Sequence, residues 1–175
     1  LQIAAVAALV LVLAGCPDKG VEYGTTSLPD QVAEDFRLDE SASGERLFTL
    51  ESDRAEVYQD SQVVQVTGVK VTFYDNAGGV YSVLTARAGT IHQLTEDLVA
   101  RGGVVVRTTD STVLVTDSLV WSNGTRKVHT DSDVSIRTPK GEVHGTGLES
   151  NAGLTRVEMK SEVRGTSQYR FETGK

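Results

Sequence analysis

From about residue 52 onward a short motif recurs every thirty residues or so, and that period constrains the architecture more than any single residue does. Ser52-Asp53-Arg54-Ala55, Thr85-Ala86-Arg87-Ala88, Thr116-Asp117-Ser118-Leu119 and Thr146-Gly147-Leu148-Glu149 open four units. A second apolar column, at Val69, Val104, Val134 and Val163, follows each opening by seventeen to nineteen residues. A unit this small cannot bury an apolar face alone, so copies stack on one another. The period predicts strand pairs stacked in series.

Within a unit the apolar residues alternate. Val69, Val71 and Phe73 fall on one face of a strand whose other face carries Lys70, Thr72 and Tyr74, the period of two that pleated backbone imposes. Breaks between apolar runs are turn formers: Asn76-Ala77-Gly78-Gly79 before the returning run from Val80 to Ile91, Pro139-Lys140-Gly141, and Asn151-Ala152-Gly153. Asn123-Gly124, between Ser118-Leu119-Val120-Trp121 and Lys127-Val128-His129, is the strongest hairpin signal. No long run with helical spacing follows residue 50, and the many Val and Thr residues disfavour one. The folded part is predicted to be all-β, over residues 46–175.

The amino end has a different character. Residues 1–15 are uncharged and end at Cys16, the single cysteine. That stretch is shorter than the roughly 20 helical residues needed to cross a bilayer core, and it suits the apolar core of a signal segment. The chain begins with Leu and lacks a basic leader, which points to residues upstream and leaves a longer transmembrane helix as the alternative. Leu13-Ala14-Gly15-Cys16 resembles the box in which a bacterial lipoprotein is cleaved and its cysteine lipidated. The bland alternative is a cysteine acting as a small hydrophobe inside a membrane helix. Polar Pro17-Asp18-Lys19-Gly20 begins at once, favouring the lipid anchor, and several acyl chains at about 0.8 kcal/mol per methylene would hold it firmly. Residues 16–45 read as a flexible tether in which Gln31 to Phe36 form a helical turn or an extended segment.

Composition excludes several functions. A net charge of −7 gives no basic footprint for nucleic acid, and one cysteine allows no intramolecular disulfide. His92, His129 and His144 lack partners at metal-ligand spacing, and Asp131-Ser132-Asp133 and Glu96-Asp97 lack the spacing of a calcium loop, so no metal or cofactor is expected. Ser118, Ser132 and Ser161 sit in no nucleophile elbow, and no enzymatic activity is expected.

Five segments taken in order carry a family resemblance: Leu84-Thr85-Ala86-Arg87-Ala88-Gly89, Leu98-Val99-Ala100-Arg101-Gly102-Gly103-Val104, Leu114-Val115-Thr116-Asp117-Ser118-Leu119, Val128-His129-Thr130-Asp131-Ser132-Asp133-Val134 and Gly145-Thr146-Gly147-Leu148-Glu149-Ser150. Over about residues 45–165 the series resembles the LptC family of periplasmic lipopolysaccharide-export proteins. The resemblance implies an open antiparallel β-jellyroll, two facing sheets forming a V-shaped trough. It implies a protein at the periplasmic face of the inner membrane that takes lipopolysaccharide from an inner-membrane ABC transporter and passes it to the related bridge protein LptA. One departure stands out: the usual form of that family is held by an uncleaved membrane helix, whereas this chain resembles a lipoprotein.

The residues themselves are compatible with this. Only 6% are aromatic, and the inward positions expected to contact lipid are Val69, Val71, Phe73, Leu84, Ala86, Val104, Val106, Leu119, Val134 and Ile136. Dry packing of these side chains is the competing reading, since most β sandwiches simply fill their interior. The carboxyl-terminal run supplies an expected partner edge at Thr155, Val157, Met159 and Val163. Two functions follow, a non-enzymatic lipid carrier and a structural β-repeat lipoprotein that scaffolds other proteins.

Overall fold

The computed structural model describes residues 28–167, which form nine antiparallel strands hydrogen-bonded strictly in chain order. They are β1 (Gln31–Ala42), β2 (Glu45–Tyr58), β3 (Val63–Tyr74), β4 (Val80–His92), β5 (Asp97–Thr108), β6 (Val113–Ser122), β7 (Lys127–Thr138), β8 (Gly141–Asn151) and β9 (Val157–Ser167). No helix occurs among the described residues. The chain is an open β-jellyroll, and its two facing walls are leaves of one continuous sheet.

The sheet folds over because its strands are interrupted near their middles. β3 buries Val64 and Val66, passes Gly68, then buries Val69, Val71 and Phe73, so the inward parity changes by one residue. Register shifts lie between Thr85 and Ala88, Arg101 and Val104, Thr116 and Val120, Thr130 and Asp133, and His144 and Thr146. Extra residues in one strand of a pair bend the ladder and increase its twist. Aligned across the sheet, these breaks form a crease. Asp35, Gly68, Gly102, Gly103, Gly147 and Glu162, all with positive φ, lie along it.

Two crease glycines show why a side chain is excluded there. Gly68 has φ +69°, and a Cβ on it would lie 2.0 Å from the Asp53 carboxylate of β2. Gly102 has φ +82° and lies beneath Arg87 of β4, whose Nε donates to the Gly102 carbonyl at 3.2 Å. The repeated openings in the sequence therefore mark the crease: Asp53, Arg87, Asp117 and Gly147 lie in the middles of β2, β4, β6 and β8, not at strand starts.

The expected reversals all occur, with turn chemistry of their own. The Asn123-Gly124 hairpin joins β6 to β7 through four residues, 123–126, and Arg126 rather than Gly124 takes the left-handed conformation at φ 56°. Gln62 and Glu96, each the last residue of its loop, do the same at φ 53° and 58°, and Leu154 does so inside the connection 152–156 at φ 54°. Longer hairpin loops built around a type I turn require the left-handed conformation only at their last residue, so the Asn-Gly pair is not obliged to form a two-residue turn.

The β body begins earlier than its apolar pattern suggests. Gln31–Ala42, which the sequence places in a tether, is a full strand paired with β2 from Gln31↔Val57 to Ala42↔Glu45. Only Phe36 and Leu38 of β1 pack onto the core, because the strand lies at the sheet margin, and most of its side chains face water. Cys16 and the signal segment lie outside the described residues.

Candidate functional site

Each strand contributes one half to each leaf, and the two inner surfaces face one another. On the first leaf the register aligns Leu38, Leu50, Val71, Leu84, Val106, Leu114, Ile136 and Val143 in one row running from β1 to β8. On the second, Val57, Val64, Ile91, Leu98, Trp121, Val128, Ser150 and Val157 make the matching row. Leu84, Leu114 and Val128 are at most 2% exposed. Fully burying such a side chain contributes about 1.5–3 kcal/mol, so the facing rows hold the leaves together.

The sequence-predicted interior residues are inward, Ala86 partly and the rest fully buried. All except Leu119 lie on the first leaf, and Leu119 faces them from the second. The apolar column does share a face, except at Val163, which is 59% exposed because the left-handed Glu162 and the bulge beside it change the parity of β9. Most of the second leaf was missed. Its Ala55, Val66, Leu98, Ala100, Val128 and Leu148 alternate as well, but on the opposite parity wherever a strand has crossed a bulge.

Aromatic residues are few but concentrated. Phe73 and Trp121 have ring centroids 5.1 Å apart, Phe48 meets Trp121 edge-on at 6.2 Å, and Tyr81 lies 6.3 Å from Phe73. β3 and β6 are three strands apart, about 14 Å in a flat sheet. Contact between Phe73 and Trp121 is thus made across the fold and joins the two leaves at the strand ends remote from the crease. Gly153 completes this end, since a Cβ there would sit 3.3 Å from the Tyr81 ring. Strand pairing is sequential among the described residues, so side chains, not backbone hydrogen bonds, join their leaves across the interior.

Charge is confined to the outside. Lys70 pairs with Glu51 at 2.9 Å and Lys160 with Asp131 at 2.6 Å, and each hydrogen bond holds its carboxyl below the usual range. Arg37, followed by Thr49, does the same for Asp39. These exposed pairs contribute little individually. A hollow of about 700 Å³ opens on the outer face beside the crease among Val115, Asp117, Asp133, Ser135, His144 and Arg164. Its mixed charge and exposure suit water better than an apolar chain.

Other candidate groups remain scattered. His92, His129 and His144 lie on β4, β7 and β8, and among the described residues no three His, Cys, Asp or Glu side chains converge on a metal position. Ser118 and Ser132 meet at the crease, Oγ to Oγ 3.0 Å. At the carboxyl edge Val157 and Met159 pack on the core, whereas Thr155 precedes β9 and its N–H already donates to Asn151 Oδ1 at 3.0 Å.

Residues 1–169 match a family described as Lipopolysaccharide-assembly, LptC-related. The chain belongs to this LptC-related family. No match was found among curated proteins. Membership assigns the chain to lipopolysaccharide transport in the cell envelope, in a family of transport components rather than enzymes. No helix among the described residues is long and apolar enough to cross a membrane.

Proposed function

We propose that the protein is a lipopolysaccharide carrier whose acyl-chain site is the space between the two leaves. One observation carries this reading: apart from Ser150 the facing rows are apolar, the first from β1 to β8 and the second from β2 to β9, and among the described residues no strand pairing ties them across the interior. Separating the leaves exposes apolar surface, and acyl chains restore its burial, so lipid replaces protein as the opposite wall at low net cost. The protein supplies no chemical energy; an inner-membrane ABC transporter supplies it and an LptA-like bridge protein receives the lipid.

The chain direction orients this transfer. The anchor at Cys16, lipidated and facing the periplasm, precedes β1, which puts the β1 edge nearest the membrane and the β9 edge farthest from it. Among the described residues β9 has one hydrogen-bonded neighbour, β8, so its outer side offers main-chain groups for a bridge protein to add a strand. Glu158 and Lys160 on that strand discourage indiscriminate pairing.

The close packing of the same leaves supports a second reading, an envelope scaffold whose interior never opens. Photo-crosslinking in cells from Val106 decides between them. The carrier captures lipopolysaccharide at Val106 and not at the adjacent outward position Val115; no capture at Val106, with the protein folded and in the envelope, leaves the scaffold.

A further inference from the structure

The polar groups of the interior are almost all accounted for by neighbouring backbone. Thr116 Oγ1 donates to the Asp133 carbonyl at 2.8 Å, Ser150 Oγ to the Asn151 carbonyl at 3.0 Å, and Thr130 Oγ1 accepts from the Ser132 N–H at 3.0 Å. Two inward side chains are exceptions. Among the described residues Ser82 Oγ and Trp121 Nε1 have no hydrogen-bond partner, although Ser82 is 1% and Trp121 5% exposed; a third unpartnered atom, Asn123 Oδ1, lies in the turn between β6 and β7. Such groups are rare in folded proteins because desolvation is not repaid, and each calls for an explanation.

The two exceptions are not independent. Ser82 is the register partner of Phe73 on the first leaf, and the Trp121 ring of the second leaf lies on Phe73 at 5.1 Å. Both therefore flank one aromatic side chain, from opposite walls, at the aromatic end of the slot. An indole N–H only donates, and a serine hydroxyl donates or accepts. The shared complement is an oxygen. No cationic side chain is among the buried residues of the core, so a phosphate or carboxylate would be stranded there without its counter-charge. A neutral oxygen fits.

We infer that Ser82 and Trp121 form a polar anchor for the neutral oxygen at the head end of an acyl chain, an ester or amide carbonyl or a chain hydroxyl. This rests on the carrier reading and deepens it by giving the lipid a direction. From that oxygen the tail runs along Leu84, Val106, Leu114, Ile136 and Val143, a path of four strand steps or about 19 Å. The anchor meets its partners only when the leaves admit a chain, so the polar groups left unpaired at rest favour the loaded state.

Trp121 is the one tryptophan of the chain and reports on its own site. The test titrates the full protein with methyl stearate carrying a nitroxide either near the ester or near the terminal methyl and follows quenching of Trp121. The ester-proximal label quenches more strongly. Ser82→Ala leaves the melting temperature equal or higher, because a buried unpaired hydroxyl is removed, yet weakens binding by up to about tenfold, the factor expected for one lost hydrogen bond. Trp121→Phe keeps an aromatic ring in place and lowers retention of radiolabelled methyl stearate similarly. Equal quenching by both labels, unchanged affinity in Ser82→Ala, or affinity lost only in proportion to a lowered melting temperature overturns the anchor while leaving a chain in the slot. Absence of quenching by either label removes the carrier reading and the anchor with it.

Discussion

Alanine at Gly68 tests whether the crease, rather than the hairpins, sets the shape of this protein. Two costs separate cleanly at this position. An L side chain at φ +69° loses about 1–2 kcal/mol to the left-handed backbone. Its Cβ would also stand 2.0 Å from Asp53 Oδ2, and moving that carboxylate into a poorer rotamer costs about 0.5–1.5 kcal/mol more. The total of about 1.5–3.5 kcal/mol lowers the melting temperature by about 3–14 °C for a domain of this size. Gly103 provides the control, because its φ is +71° and a Cβ there would meet nothing within 4 Å. Gly103→Ala should show the backbone cost alone, about 2–8 °C.

The decisive comparison is the double variant. In an Asp53→Ala background the collision is gone, and Gly68→Ala should cost no more than Gly103→Ala. Circular dichroism gives the melting curve, and Trp121 emission reports whether the leaves still meet at Phe73, since that contact bridges the fold. A Gly68→Ala protein as stable as wild type, or one whose penalty Asp53→Ala leaves unchanged, would refute the steric account of the crease.

The β9 edge is tested by proline, because successive N–H groups of an edge strand point alternately to the neighbour and to solvent. Of Val157→Pro and Glu158→Pro, the one that removes a bond to β8 should lower the melting temperature, while the other should keep it and lose the bridge protein in a pull-down titration; undiminished binding by both folded variants rules out strand addition here. Acid should loosen the outer face. Asp39, Glu51, Asp131, Glu142 and Glu149 all titrate below their ordinary values of 3.8 and 4.5, chiefly through hydrogen bonds from Arg37, Lys70, Lys160, Ser135 and Lys127 respectively. Groups whose folded pKa is depressed stabilise fully above the unfolded value and lose that contribution as pH falls through the folded one. The melting temperature should therefore hold from about pH 7 to about pH 5 and fall below about pH 4; a rise over that lower interval would contradict the assignment.

Local chemistry determined much of this protein. Alternating Val and Thr, with turn formers between the runs, specify antiparallel strands in chain order, because β-branched side chains fit a pleated surface and short loops join only neighbours. The column Val69, Val71, Val104, Val106, Val134 and Ile136 shares a leaf for the same reason. Tertiary structure alone decided where that logic breaks. A period-two reading continued past Gly68 would expose Val69 and Val71, yet the bend at the crease turns them inward. The repeated openings were visible as a period, but their meaning as mid-strand bends depends on the side chain that the neighbouring strand lays over each glycine. β1 carries too few apolar residues to declare itself, and becomes a strand by pairing with β2. Phe48, Phe73, Tyr81 and Trp121 come from four different strands, and only folding the sheet over brings them together, around two polar groups whose lack of partners no sequence pattern records.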